Sequence, residues 1–147
     1  AYLSLITNFY ERKATVTAEK SNGLRYVVIG AGMAGILAGI KLKQTGGDFV
    51  ILEKADRLGG TWRENRYPGL TCDVPAHAYT YSFEPYAEWK AYYATGGEIQ
   101  DYFVKTAAKY GVTPHIRFNS EVASCVWDEK AAQWNLRTVN GDELPPF

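Results

Sequence analysis

The chain has 147 residues, 46% of them hydrophobic and 22% charged, which is the composition of one globular domain. Lys+Arg and Asp+Glu both number 16, so net charge is zero and nothing marks the chain as a basic nucleic-acid binder. Two cysteines are too few for a disulfide framework, and with only two histidines beside them a structural zinc site is not expected.

Residues 1–23 read as an N-terminal extension, an amphipathic start that ends in the breaker "EKSNG". No signal-peptide pattern is present in them. Residues 24–147 read as the domain. The apolar run Tyr26–Ile40 contains four glycines and is 15 residues long, too short to cross a bilayer. Cys72 and Cys125 lie outside any CxxC pair and fit a reducing compartment, so the cytoplasm is the expected location.

"LRYVVI" (Leu24–Ile29) predicts a buried parallel strand, because it is β-branched and does not alternate. Gly30, Gly32 and Gly35 follow as G-x-G-x-x-G. Ala34, Leu37, Ala38 and Leu42 then recur at helical spacing, and Gly46–Gly47 supplies a stop. Phe49–Leu52 predicts a second buried strand ending at Glu53. This strand–glycine–helix–strand order is the chemistry of a dinucleotide site. The first Gly permits the turn, the second lets backbone approach a pyrophosphate, and the third lets helix and strand pack closely. The pyrophosphate would meet the helix N-terminus, and Glu53 could accept hydrogen bonds from a ribose hydroxyl. The βαβ unit alone leaves NAD and FAD both open.

A long loop follows, too rich in Gly and Pro for a core element yet carrying Trp62, Tyr67, Tyr79, Tyr81 and Phe83. Beyond it, Glu98–Tyr110 predicts a helix with Ile99, Tyr102, Phe103, Ala107 and Tyr110 on its apolar stripe, ended by Gly111. His115–Asn119 predicts a third parallel strand. "EVASCVWDE" and "QWNLRTV" predict an antiparallel pair, and Asn140–Gly141 a turn toward a further strand. Trp89, Tyr92, Tyr93, Trp127 and Trp134 are expected as core or domain-contact aromatics.

The loop resembles a known family. Gly59–Trp62 (Gly-Gly-Thr-Trp), Asn65–Gly69 (Asn-x-Tyr-Pro-Gly), Cys72–Pro75 (Cys-Asp-x-Pro) and Tyr79–Phe83 (Tyr-x-x-Ser-Phe) are similar to the flavin-dependent monooxygenases of the Baeyer–Villiger type. The resemblance covers roughly Arg25–Leu144. It implies an FAD-binding domain. Glu53 would hold the adenosine ribose, Gly60, Thr61 and Trp62 would lie along the diphosphate and flavin, and Val122 would meet the adenine. Tyr79 would contact the flavin region, and Asp73 would be catalytic, near the reactive end of the isoalloxazine. For a whole enzyme the resemblance implies NADPH, molecular oxygen and a flavin peroxide that inserts oxygen into a ketone. A non-catalytic FAD-binding fragment, or a flavin monooxygenase acting on sulfur or nitrogen, are the alternatives.

Blander roles stand beside these. Asp73 also fits a turn before Pro75, and Trp62 an apolar plug for the loop. Tyr67, Tyr81 and Phe83 fit loop packing. Cys72 has no visible base, and His77 and His115 are lone histidines. Arg63, Glu64 and Arg66 read as solvated or salt-bridged, with Arg66 within reach of an anionic cofactor. No metal site is expected.

The sequence contains no second G-x-G-x-x-G, so the NADPH domain of the family is absent from these residues. The family's linker fingerprint, the Arg that pairs with the flavin-side Asp, and the Ala-Thr-Gly strand after "GDEL" are absent too. The expectation is therefore a Rossmann-like, three-layer α/β FAD-binding domain with a parallel sheet and a small antiparallel meander, truncated at its C-terminal end. Alone it is not expected to turn over, and it would associate through the missing half.

Overall fold

The computed structural model describes residues 23–147. The N-terminal extension expected over 1–23 lies, apart from Gly23, outside the described residues. The first two apolar runs form β1 (Arg25–Ile29) and β2 (Asp48–Leu52), paired in parallel with Val28 beside Ile51. The third strand is shorter than His115–Asn119. Only Ile116–Arg117 (β3) pairs, in parallel, with Ile51 and Leu52 of β2. Both flanks explain why: Thr113–His115 closes a 3-10 turn containing Pro114, and Asn119 takes φ 53°. The sheet order is β1-β2-β3.

The glycine-rich run after β1 forms helix α1 (Met33–Gln44), which returns the chain to β2. Its fully buried residues are not the predicted Ala34, Leu37, Ala38 and Leu42, although Leu37 and Leu42 pack against the core from its margin. The buried residues are Gly35, Ile36, Gly39 and Ile40. The glycines set this face, because lacking side chains they let the helix sink onto the sheet. A Cβ on Gly39 would lie 2.8 Å from both Ile51 Cδ1 and Val112 Cγ1, and one on Gly35 would collide with the Gly30 carbonyl oxygen. The run Ile36–Leu42 is apolar at most positions, so periodicity does not fix one face, and the two close-packed glycines turn Ile36 and Ile40 inward.

Beyond β2 come a single helical turn, α2 (Thr61–Glu64), a 3-10 turn at Ala76–Ala78 and the long helix α3 (Gly96–Lys109). Helix α3 starts two residues before the predicted Glu98. Thr95 caps it: its Oγ1 accepts the Glu98 N–H at 3.3 Å, and the Glu98 carboxylate accepts the Thr95 N–H at 3.1 Å. Such a cap contributes about 1 kcal/mol. Burying one large apolar side chain contributes about 1.5–3 kcal/mol, and Ile99, Tyr102, Phe103 and Ala107 are all buried on the expected stripe. Packing rather than capping therefore holds α3 in place.

The last elements are β4 (Val122–Asp128) and β5 (Gln133–Thr138), antiparallel as expected, with a register shift at Val122/Ser124. The chain then turns at Gly141 and runs back beside β5, where Leu144 N–H donates to Leu136 O and Phe147 and Trp134 exchange two backbone hydrogen bonds. Four aromatics expected in the core or at a domain contact are not core residues here. Tyr92, Tyr93, Trp127 and Trp134 are exposed, while Trp89 packs against Tyr86 and Tyr102.

Candidate dinucleotide-binding site

A groove opens at the C-terminal ends of β1 and β2, where open parallel sheets bind ligands. It consists of two adjoining cavities, about 510 Å³ and 340 Å³, which share Ile29, Gly30, Gly32, Gly60 and Thr61. The larger reaches Glu53, Lys54 and Val122. The smaller reaches Gly35, Trp62 and Tyr79. Every residue predicted to touch a cofactor therefore lines this groove, with the exception of Asp73. Asp73 is exposed, between buried Cys72 and the Ala76–Ala78 turn, and lines neither cavity.

The glycine turn presents α1 end-on to the groove. Gly30 N–H is committed to Leu52 O at 2.7 Å, which fixes the turn to β2. The N-terminus of α1 has no side-chain cap and no acidic residue in its first turn. Its positive end is left for an anion from elsewhere.

Glu53 is only 6% exposed. Its Oε2 accepts the Ala31 N–H at 2.6 Å and its Oε1 accepts the Ala55 N–H at 2.9 Å. The carboxylate thus ties the glycine turn to the loop after β2. A carboxylate offers about four acceptor positions, so capacity remains for ribose hydroxyls. Sequence spacing offers Glu53 only as a candidate acceptor for a ribose and does not show this tie, because the backbone that folds back onto it lies 22 residues away.

The aromatic loop divides its side chains between site and core. Trp62 Nε1–H donates to the Tyr79 hydroxyl at 3.1 Å, with the rings edge to face at 5.6 Å. Because Tyr79 accepts this bond, its own hydroxyl proton is free to donate into the groove. Tyr81 and Phe83 stack on each other at 5.3 Å and belong to packing. Tyr81 Oη donates to Met33 O at 2.6 Å, which anchors the loop to the first turn of α1, and burial pushes its hydroxyl pKa well above the usual value. Tyr102 Oη accepts the Tyr81 N–H and donates to Glu84 O. His115 stacks on Phe49 at 4.3 Å, a packing role, and His77 is exposed in the Ala76–Ala78 turn.

A further cavity of about 470 Å³ shares Trp62 with the groove and is lined by Arg66, Tyr67, Leu70 and Gln100 among others. On the outer side of the loop, Arg63 donates to Asp56 at 2.5 Å and to Glu64 at 2.9 Å. The Arg63 hydrogen bond holds the Asp56 carboxyl below its ordinary range, and Asp56 in turn raises the Arg63 guanidinium. Among the described residues no cluster of His, Cys, Asp or Glu could hold a metal ion, and no helix is long and apolar enough to cross a membrane. Both cysteines are free, Cys72 buried and Cys125 exposed.

Residues 28–95 match the family of NAD(P)-binding Rossmann-like domains. The chain is 44% identical over 119 residues to a Baeyer-Villiger monooxygenase of Streptomyces coelicolor, covering 80% of this chain and 23% of that protein. It is 44% identical over 118 residues to an FAD-binding monooxygenase of Aspergillus terreus, covering 78% and 21%. Among solved structures, a steroid monooxygenase bound to NADP superposes with a TM-score of 0.76 at 40% identity, over 82% of this chain and 24% of that one. A cyclohexanone monooxygenase gives 0.76 at 37%, over 80% and 24%. The OTEMO complex with FAD and NADP gives 0.78 at 33%, over 85% and 24%. The chain thus spans about a quarter of the length of the relatives it matches.

Proposed function

We propose, from the chain's place among the Baeyer–Villiger-type flavin-dependent monooxygenases, that residues 24–147 are the FAD-binding part of an oxygen- and NADPH-dependent enzyme that inserts oxygen into a ketone. The observation that carries this reading is the continuous groove from Glu53 and Val122, across the glycine turn, to Trp62 and Tyr79. Its parts suit the parts of FAD in order. The acidic end suits a ribose, and the uncapped α1 N-terminus suits a diphosphate. The aromatic end suits a flat ring system with few, placed polar groups.

Glu53 also discriminates. A carboxylate held among backbone amides beside the ribose position would repel a 2′-phosphate. The groove therefore suits FAD better than NADPH, although the matched domain family is described by NAD(P). NADPH would bind elsewhere in the whole enzyme, since residues 24–147 hold no second glycine turn. Association with that remaining part of the enzyme is part of the same proposal.

When bound, FAD supplies the two-electron chemistry that activates oxygen. The chain's own residues do the rest. Glu53, the α1 N-terminus and Gly60–Thr61 orient the nucleotide half, and Trp62 and Tyr79 wall the other end, with the Tyr79 hydroxyl proton available as a donor. For Asp73 we propose a role at the reacting edge, reached from outside the groove. Asp73→Ala in a whole enzyme carrying this segment is expected to lower turnover with FAD content unchanged; unchanged turnover would remove Asp73 from the mechanism.

A ketone is preferred to a sulfur or nitrogen substrate because relatives and structural neighbours are named Baeyer-Villiger and cyclohexanone monooxygenases. Product analysis of the whole enzyme with a cyclic ketone and a thioether tests this. Lactone as the main product supports the reading, and sulfoxide alone contradicts it. The cytoplasm is the location we propose, on the two free cysteines.

A further inference from the structure

We propose that Arg63 is a positioning residue whose ion pair with Asp56 latches the Gly59–Gly60–Thr61 backbone against the glycine turn, and so fixes the wall that faces the cofactor diphosphate. The latch itself rests on contacts within the chain, and only its last clause rests on the FAD reading above.

The segment from Asp56 to Arg63 needs a tether. It contains Gly59 and Gly60, both with positive φ, and glycine loses more backbone freedom on ordering than any other residue. Helix α2 is a single turn, too short to hold itself in water. Yet this segment must approach the glycine turn closely. Gly59 N–H donates to Ala31 O at 3.0 Å, and Gly60 packs directly on Gly32.

Two side chains secure it from opposite ends. Gln100 Nε2–H donates to Leu58 O at 2.6 Å, which holds the start of the segment to α3. Arg63 turns back across the loop to Asp56, which closes the segment on itself. Arg57 also faces Asp56, but at 3.7 Å and from a more exposed position, so Arg63 is the stronger partner. Glu64 takes the second Arg63 nitrogen, and this limits the rotamers of the guanidinium. Arg63 Nε is buried without a hydrogen-bond partner among the described residues. Packing therefore already restrains the side chain, and forming the pair costs it little further freedom.

Exposed ion pairs add little to global stability, and Asp56 is largely exposed. The expected effect of breaking the pair is therefore local: greater opening of the Gly59–Trp62 backbone in a fold that stays intact.

Amide hydrogen exchange on the full chain tests this without any ligand, by comparing wild type with Arg63→Met, Asp56→Asn and Arg63→Lys. In the first two variants the Gly59 and Trp62 amides are expected to exchange faster by about fivefold or more, with Ile36 and Ile99 amides unchanged. Arg63→Lys, which keeps the charge, should restore most of the protection. FAD titration of the same proteins is expected to show affinity weakened about tenfold in Arg63→Met. Gly59 exchange at the wild-type rate in both variants overturns the latch. So does acceleration of Ile36 and Ile99 in step with Gly59, which would make Arg63 a general scaffold residue. The Gly59 response in both variants, together with a wild-type chain that takes up no FAD, overturns the cofactor reading and its diphosphate clause and leaves the latch standing.

Discussion

Gly60 of the aromatic loop and Gly32 of the glycine turn stand backbone to backbone: a Cβ on Gly60 would lie 3.0 Å from the Gly32 Cα. This contact joins the two glycine-rich motifs into one groove, although 28 positions separate them in the sequence.

Gly60→Ala tests that contact. Gly60 takes φ 55° and ψ −125°, a conformation closed to a residue with a Cβ. The substitution is expected to cost about 1–3 kcal/mol and to lower FAD retention, read by thermal melting and by flavin content. Gly97→Ala is the control. Gly97 lies in the first turn of α3 with open space around it, so the same change there should be neutral or stabilising by up to about 1 kcal/mol. Equal losses at both positions would contradict the account.

Glu53→Gln separates charge from shape. The carboxylate accepts from two backbone amides, whereas a Gln side chain turns one of those positions into a donor facing a donor. A loss of about 1–3 kcal/mol is expected from the mismatched amide, together with weaker FAD binding. A melting temperature unchanged from wild type would show that the two amides do not need the carboxylate.

Tyr79→Phe removes the acceptor for the Trp62 indole N–H. The expected cost to stability is about 0.5–1.5 kcal/mol. FAD affinity should fall as well, because the hydroxyl that donates into the groove is lost. Fluorescence-detected FAD titration and melting curves read both effects. A fall in stability with unchanged affinity would leave Tyr79 as a packing residue only.

Acid should weaken the fold through Glu84 and Glu98. The Lys109 hydrogen bond holds Glu84 below its ordinary pKa of 4.5, and the Thr95 and Lys90 backbone amides hold Glu98 below the same value. A depressed carboxylate contributes stability that is fully present above its unfolded pKa and is lost as pH falls through the lower folded value. Stability should therefore decline below about pH 4.5. The double variant Glu84→Gln, Glu98→Gln should show a flatter profile there. A profile as steep as that of wild type would assign the acid sensitivity to other groups.

The sequence exposed those parts of the site that depend on local chain geometry. Gly30, Gly32, Gly35 and Glu53 are spaced by a single βαβ unit, and the spacing alone puts them at the C-terminal end of the parallel sheet. The Trp62–Tyr79 pair and the Asp56–Arg63 pair were not legible, because each depends on how an irregular loop folds back. Arg63 reads from sequence only as solvated or salt-bridged, with no partner indicated. The buried face of α1 differs from the expected stripe because its run is apolar nearly all round, and the close contacts of Gly35 and Gly39, which periodicity does not register, turn Ile36 and Ile40 inward. The start of α3 was misplaced because Thr95 and Glu98 form a reciprocal cap that lets the helix begin at Gly96. The third strand was overestimated because Pro114 and the positive φ of Asn119 limit it to two residues.

The measurement that most directly tests the central claim is the visible absorbance spectrum of the chain after incubation with FAD and removal of free FAD, with Glu53→Gln and Gly60→Ala in parallel. The account predicts a retained flavin band in wild type that is reduced in both variants. No band in wild type, or an equal band in all three, would contradict the assignment of this groove to FAD.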